Sequence, residues 1–243
     1  MQFGSRDSTS ATLSNGKHLI RPRPFPNSYW ATPLLVACEY PWTPTRAQRS
    51  QKLDLLLRAG VRTFIDLTES GELSPYAPHL AAHVTRVGNI ELGDVEYHSF
   101  PIPDRCLPRS ESYVRQILDV LRDNARRGRI AAVHCRGGIG RTGVVVGCWL
   151  VESGAVEDGA SALDFIAEEW KSVEKYSRFP QSPETGRQCD FVRNFERLPS
   201  PLAASIRTDG DARENYVKDP ARMTVRSFSQ SSPSVHGSLC LHG

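Results

Sequence analysis

A short apolar segment that runs directly into a glycine-rich turn is the feature that most constrains the fold of this chain. Residues 129–133 are too few for a helix and too apolar for a surface loop, so they predict a buried strand. The turn at 134–140 leads into a second apolar run at 144–151. A buried strand, a tight turn and an apolar helix in this order are typical of parallel α/β sheets, which bind ligands where such strands end.

The rest of the chain repeats this alternation. Short β-branched or alternating runs predict strands at residues 34–37, 61–67 and 95–100. Apolar residues at helical spacing, with caps and glycine stops, predict helices from Thr43 to Gly60, from Ser110 to Gly128, over 141–153 and 156–171, and from Ser182 through Phe195. The predicted fold class is α/β, with a central, largely parallel (mixed) sheet flanked by helices.

The two ends of the chain differ in composition from the middle. Residues 1–26 end in a proline-rich stretch and predict a flexible leader, although their Ser and Thr content also fits an organelle transit peptide. From 199 to 243 the apolar periodicity fades, which predicts a disordered tail. Residues 27–198 are therefore expected to form one domain. The sequence indicates no oligomeric state.

Composition excludes several classes of function. The formal net charge is +3 and is spread along the chain, so no nucleic-acid partner is expected. The run at 144–151 is far shorter than the ~20 residues that span a bilayer, so no membrane span is expected. The six cysteines include no CxxC pair, which argues against zinc and against a disulfide framework. These features together favour a cytoplasmic protein that binds no metal and needs no cofactor.

Residues 134–143 contain the candidate phosphate-binding loop and the candidate nucleophile. Gly137, Gly138 and Gly140 permit a tight loop whose N–H groups turn inward and form a nest for an anion. The positive end of the following helix points at the same nest and favours phosphate. Cys135 lies at the floor of this nest, where the field stabilises a thiolate. Arg141 has a planar guanidinium suited to two oxygens of a phosphoryl group.

Other interpretations of the loop explain fewer residues. A nucleotide-binding phosphate loop needs glycine and lysine where this chain has Cys135 and Arg141. The segment from Gly138 to Gly143 matches the dinucleotide pattern G-x-G-x-x-G, but that interpretation leaves Cys135 and Arg141 without a role. A buried, inert cysteine followed by chance glycines is the remaining alternative.

His134, Cys135, five further residues, Arg141 and Thr142 resemble the signature loop of the cysteine-dependent protein tyrosine phosphatase superfamily. Every fixed position of H-C-x-x-G-x-x-R-[ST]-G is matched, and the order of elements over about 30–198 also fits. The resemblance implies a protein tyrosine phosphatase-like fold and a metal-independent reaction through a phosphocysteine at Cys135. It further implies that phosphate binds to residues 136–141, which are Arg136, Gly137, Gly138, Ile139, Gly140 and Arg141.

Displacement of a side-chain oxygen requires a proton donor. Asp104 follows the predicted strand 95–100 in a loop stiffened by prolines, and that segment resembles the acid loop of the dual-specificity branch. Asp favours turns in general, so a purely structural role is the alternative. Asp94 and Glu96 are weaker candidates because they lie at or before the start of the strand.

Several further side chains are expected to support Cys135, Arg141 and Asp104. The resemblance implies that Thr142 donates a hydrogen bond to the sulfur of Cys135, although a first-turn helical role is the alternative. His134 is expected to organise the loop, because in an extended strand its side chain points away from that of Cys135. Glu39 is a candidate for the carboxylate that holds Arg141.

The segment 182–191 resembles the late loop and helix of the superfamily, which in the phosphotyrosine-specific branch supplies a glutamine for the hydrolytic water. Gln188 or Glu184 could fill that role here, and the sequence does not choose between them. A helix cap at Ser182 followed by Pro183 also explains much of the segment.

The expected partner is a phosphorylated protein. The ring-clamping loop of phosphotyrosine-specific members is absent, which favours a shallow pocket of dual-specificity type that accepts phosphotyrosine, with phosphoserine and phosphothreonine as further candidates. Arg136 either selects an acidic or multiply phosphorylated substrate or is a solvated charge. Ile139 stands where phosphoinositide phosphatases usually carry a second lysine. A phosphoinositide or RNA 5′-phosphate phosphatase and a catalytically weak phosphoprotein-binding module remain the alternatives.

Overall fold

The structure is a computed structural model that describes residues 21–44, 51–198 and 222–224. In chain order its strands and α-helices are β1 (Ser28–Thr32), β2 (Leu35–Cys38), α1 (Gln51–Arg58), β3 (Val61–Asp66), α2 (Leu80–Val87), β4 (Glu96–Ser99), α3 (Glu111–Arg126), β5 (Ile130–His134), α4 (Gly140–Ser153), α5 (Gly159–Trp170), α6 (Gly186–Arg193) and β6 (Arg222–Thr224). Among the described residues, no helix is long and apolar enough to cross a membrane.

The strands form one mixed sheet in the order β1-β2-β5-β3-β4-β6. The four middle strands are parallel, and the edge strands β1 and β6 pair antiparallel to their neighbours. Val133 of β5 pairs with Ala37 on one side and Ile65 on the other. Since β5 is central and helices cover both faces, its side chains are buried from Ala131 onward, which explains its continuous apolar run. The predicted fold class is confirmed.

Helices cover the sheet on both faces and enclose two hydrophobic clusters. Helices α3, α4, α5 and α6 pack on one face, and α1 and α2 pack on the other. Helix α4 is buried along almost its whole length. Gly147 makes this close packing feasible, because a Cβ there would lie 2.5 Å from Val192 of α6. This packing fixes the start of α4 directly beneath the end of β5.

Some local predictions were wrong. The last helix begins at Gly186 rather than at Ser182, because Thr185 and Gln188 form a reciprocal capping box. Ser182 instead donates a hydrogen bond to the carbonyl of Ile139. Strand β1 and helix α2 were not predicted, because each is short. Strand β1 pairs with β2, which follows it in the chain, and also contacts α4 and α5, whereas α2 packs against α1.

The ends of the predicted domain also differ from expectation. Residues 21–26 were expected to belong to a flexible leader, yet Phe25 is 5% exposed and packs in the α1–α2 cluster. Arg21 stacks 3.9 Å from the centre of the Trp30 ring. The packed domain therefore begins before residue 27. Strand β6 lies in the range predicted as a tail. The rest of that range, residues 1–20 and residues 45–50 lie outside the described residues. The first helix was predicted to begin at Thr43, but Thr43 and Pro44 are not helical, and the described part of that helix, α1, begins at Gln51.

Candidate active site

Cys135 lies immediately after the last residue of β5, at the carboxyl edge of the parallel strands. Its side chain is 3% exposed and forms the floor of a small pocket of about 30 Å³. The pocket is lined by Asp104, Arg105, Cys135, Gly137, Ile139, Gly140, Arg141 and Glu184. The fold therefore gathers the predicted nucleophile, guanidinium and acid around one cavity.

The Cys135 loop (residues 135–141) turns its carbonyl groups away from this pocket. The carbonyl of Arg136 accepts a hydrogen bond from the Tyr40 N–H, at 3.2 Å. The carbonyl of Gly137 accepts from Lys175 Nζ, also at 3.2 Å. The carbonyl of Ile139 accepts from the Ser182 hydroxyl at 3.0 Å. Because the outward acceptors are satisfied by the surrounding protein, the loop keeps a conformation that leaves its N–H groups for an anion.

The start of α4 supplies further donors. Ile139 is its N-cap residue and makes no side-chain capping hydrogen bond, so the first N–H groups of the helix are not occupied by a cap. Together with the helix dipole, such groups favour a bound phosphate. Gly138 adopts a φ of 74°, and a Cβ there would lie 2.6 Å from the main chain of Cys38. A glycine is therefore required at this point of the loop.

Arg141 is 1% exposed, and its guanidinium is held from several sides. Nη1 and Nη2 each donate to one carboxylate oxygen of Glu72 at 2.7 Å, and Nη2 also donates to Asp104 at 2.8 Å. Burial alone would lower the pKa of Arg141, but the hydrogen bonds to Glu72, together with electrostatic interactions with Cys135, Glu72 and Asp104, raise that pKa above its usual value. The guanidinium is therefore a permanent positive charge at the pocket.

Glu72, and not Glu39, is the carboxylate that holds Arg141. The prediction for Glu39 was wrong because its carboxylate is bound by Lys52 and Lys175. The hydrogen bonds from Arg141 hold the pKa of Glu72 below its usual value, so this carboxylate stays charged. Glu72 was missed by the sequence reasoning. The available signal was its place in the loop after β3, the strand beside β5.

We expect Glu72→Gln to reduce kcat/KM for an aryl phosphate by about 10- to 100-fold, because the neutral amide replaces a charged, two-point contact to a buried guanidinium. The measurement is steady-state turnover together with vanadate affinity and thermal melting. Glu69→Gln is the matched control, because Glu69 lies exposed on the same loop. Equal activity of the two variants would contradict a positioning role for Glu72.

Asp104 lies at the tip of the acid loop (residues 100–109), which follows β4. Its side chain is 52% exposed and reaches Arg141 at the edge of the pocket. The alternatives Asp94 and Glu96 lie at the opposite end of β4 from this loop. Glu96 is bound by Arg127 and Arg129. Of the three predicted acids, the fold brings only Asp104 to the pocket.

His134 is fully buried and does not line the pocket. Its Nε2 lies 2.6 Å from the Tyr76 hydroxyl, and its Nδ1 lies 3.8 Å from Asp66. Burial lowers the pKa of His134, which favours the neutral imidazole. A neutral, tethered ring fits a residue that organises the loop. Tyr76 was missed by the sequence reasoning, because no local pattern marks it.

Thr142 does not make the contact predicted for it. Its side chain is fully buried in the first turn of α4, and its hydroxyl has no hydrogen-bond partner among the described residues. The expected hydrogen bond to the sulfur of Cys135 is therefore not formed in this structure. A role for Thr142 in stabilising the thiolate stays a prediction.

The structure separates the two candidates near α6. The Gln188 side chain is fully buried, accepts from the Thr185 N–H and donates to the Cys106 carbonyl, so it braces the acid loop. Glu184 lines the pocket itself.

Within the ranges that the structure describes, no group of three or more His, Cys, Asp or Glu side chains could hold a metal ion.

A buried cysteine in a strand-to-helix loop, with an arginine and an aspartate at the same pocket, is the arrangement of a cysteine-dependent phosphatase. Residues 29–192 match the family described as "Swiss Army Knife protein, DSP-PTPase phosphatase domain", and the chain belongs to that family. The fold and family identify the chain as a phosphoric monoester hydrolase of the dual-specificity-like branch.

Known proteins resemble the chain to different extents. The mouse dual specificity protein phosphatase CDC14B is 42% identical over 57 residues, which are 24% of this chain and 11% of that protein. The structure of Tk-PTP in the active form has a TM-score of 0.55 at 23% identity, over 71% of this chain and 97% of that chain. The structure of PTPMT1 in complex with PI(5)P has a TM-score of 0.52 at 14% identity, over 70% and 94%. At these identities the two structures show a common fold only.

Proposed function

We propose that this chain is a protein phosphatase that hydrolyses phosphotyrosine, with phosphoserine and phosphothreonine as further substrates, through a phosphocysteine at Cys135. The observation that carries the proposal is the convergence of Cys135, Arg141 and Asp104 on one pocket. Phosphoryl transfer depends chiefly on positioning and charge stabilisation, which these groups and the loop amides supply.

In the first step the Cys135 thiolate attacks phosphorus and the bond from phosphorus to the substrate oxygen breaks. Asp104 gives its proton to that leaving oxygen, so the product is a neutral hydroxyl group. Arg141 and the loop amides bind the equatorial oxygens. In the second step water attacks the phosphocysteine, Asp104 takes a proton from the water, the P–S bond breaks, and inorganic phosphate leaves with the thiolate restored.

The contact between Arg141 and Asp104 supports this sequence of events. Nη2 of Arg141 donates to both Glu72 and Asp104. An entering phosphate group competes for the same guanidinium, because its oxygens are stronger acceptors in a bidentate geometry. We expect this exchange to release Asp104 toward the leaving oxygen while Glu72 keeps Arg141 in place.

The pocket also bears on the class of substrate. Ile139 lines it, is 6% exposed and brings no second charge, which disfavours a polyanionic lipid head group. PTPMT1 was solved with PI(5)P, but it shares only the fold with this chain. A phosphorylated side chain in a protein partner, in a cytoplasmic setting, is the substrate that we propose.

A substrate panel tests the proposal directly. The purified chain is assayed with phosphotyrosine, phosphoserine and phosphothreonine peptides, a phosphoinositide set and 5′-phosphorylated RNA, with an aryl phosphate as reference. We expect phosphotyrosine peptides to give the highest kcat/KM. A clear preference for lipid or RNA would overturn the proposed substrate. Phosphopeptide binding with no turnover of any substrate would instead indicate a binding module.

A further inference from the structure

Arg105 occupies an unusual position at the mouth of the pocket. The Cys106 N–H donates to the Pro103 carbonyl at 3.0 Å and closes a reverse turn with Asp104 and Arg105 at its tip. Arg105 adopts a φ of 58°, the left-handed region that residues with a long side chain rarely occupy. The turn brings the side chains of both tip residues to the lining of one pocket. Such conformations persist where surrounding structure imposes them, commonly at ligand sites.

The guanidinium of Arg105 is weakly engaged. Its side chain is 67% exposed, and its Nε lies 3.4 Å from a carboxylate oxygen of Glu184. Exposed pairs of this kind contribute little free energy, so a substrate group can displace Glu184 at low cost. Arg141, by contrast, is buried, and its guanidinium is held by Glu72. Arg105 is available to a ligand, whereas Arg141 is fixed.

A second positive charge directly follows Cys135 in the chain, although it does not line the pocket. Arg136 is exposed, and among the described residues no carboxylate forms an ion pair with it. The pKa of Glu72 is lowered mainly by its hydrogen bonds from Arg141, and the charge of Arg136 adds to this lowering. A phosphorylated residue placed over Cys135 would therefore have guanidinium groups beside its neighbours in the substrate chain.

Resting on the proposed function, we infer that Arg105 is a specificity-determining residue that binds an acidic side chain adjacent to the phosphorylated residue of the substrate. Arg105 exchanges its contact with Glu184 for the carboxylate of the substrate, while Asp104 beside it serves the leaving oxygen. The substrate class is thus a phosphopeptide with Asp or Glu next to the phosphorylated position. Arg136 adds to the attraction as a nearby charge.

The test compares two phosphotyrosine peptides that differ only in having Asp or Asn on both sides of the phosphotyrosine. For the wild-type chain we expect kcat/KM to favour the Asp peptide by about tenfold, a preference that falls as salt is raised. Arg105→Ala should remove most of this preference, Arg105→Lys should retain part of it, and Glu184→Gln should increase it. Arg126→Ala is the matched control, because Arg126 is exposed at the C-terminal end of α3 and does not line the pocket.

The outcomes separate this inference from the proposed function. If the wild-type chain hydrolyses both peptides equally, or if Arg105→Ala keeps the preference, the role of Arg105 is refuted and the phosphatase proposal stands. If neither peptide is hydrolysed while the aryl phosphate is, the proposed protein substrate fails. Thermal melting of each variant shows whether a lost preference reflects unfolding. The ratio of kcat/KM between the Asp and Asn peptides does not change when part of the protein is inactive.

Discussion

Cys135→Ser is expected to abolish turnover of an aryl phosphate, with a loss of ~10⁴-fold or more. The reason is chemical rather than structural. The serine hydroxyl fits where the thiol lies, on a floor that is 3% exposed, but an alcohol in that position does not ionise as a thiol does. The pocket, Arg141 and the loop amides would remain, so vanadate or a phosphopeptide should still bind. The measurement is steady-state turnover combined with binding by calorimetry.

Cys106→Ser provides the matched control. Cys106 is exposed on the acid loop close to the pocket, and its hydrogen bonds to Pro103 and Gln188 are made by its main chain, which the substitution leaves in place. We expect this variant to keep its turnover. Rapid quenching of the wild-type reaction with labelled substrate should trap phosphate on Cys135, and the serine variant should trap none by that route. Full activity of Cys135→Ser would refute nucleophilic catalysis at this residue.

Asp104→Asn is expected to slow turnover by about 10²- to 10³-fold when the leaving group is a poor one such as the tyrosine side chain. An aryl phosphate whose phenol is strongly acidic needs little protonation of its leaving oxygen, so its rate should fall much less. The activity loss at rising pH that reflects deprotonation of the donor should flatten in the variant. Rates for a series of aryl phosphates, measured across pH, test all of these expectations.

The control for this series is Asp94→Asn. Asp94 precedes β4, at the far end of the strand from the acid loop, and its side chain is exposed. We expect no change in the dependence of rate on the leaving group. A uniform loss for every leaving group in Asp104→Asn would instead assign Asp104 to the support of Arg141, with which it forms an ion pair.

The central part of the site could be predicted from sequence because its determinants are local. Cys135, the glycines and Arg141 lie within seven consecutive residues, and a strand-to-helix turn leaves few arrangements for them. Asp104 was also predictable, since it follows a strand whose carboxyl end must reach the same sheet edge. Local sequence patterns therefore predict the Cys135 loop and the position of Asp104 at the same edge of the sheet.

The supporting contacts could not be predicted in the same way. Glu72 holds Arg141 across 69 positions of the chain, and Tyr76 reaches His134 across 58. Lys175 binds the Gly137 carbonyl across 38 positions. Each of these residues is an ordinary charged or aromatic residue in its own segment. Their roles depend on which loops the sheet order brings together, and Glu39 was wrongly chosen because it too follows a strand beside β5.

The sequence alone determined the α/β class, the Cys135 loop and the kind of chemistry, because periodicity, glycine and charge act over a few residues at a time. The tertiary structure decided which carboxylate holds the guanidinium of Arg141, where α6 begins, and that Arg105 lines the pocket beside Asp104. Those outcomes depend on the order of strands in the sheet and on packing between distant segments. Such long-range contacts leave no mark in any single stretch of the chain.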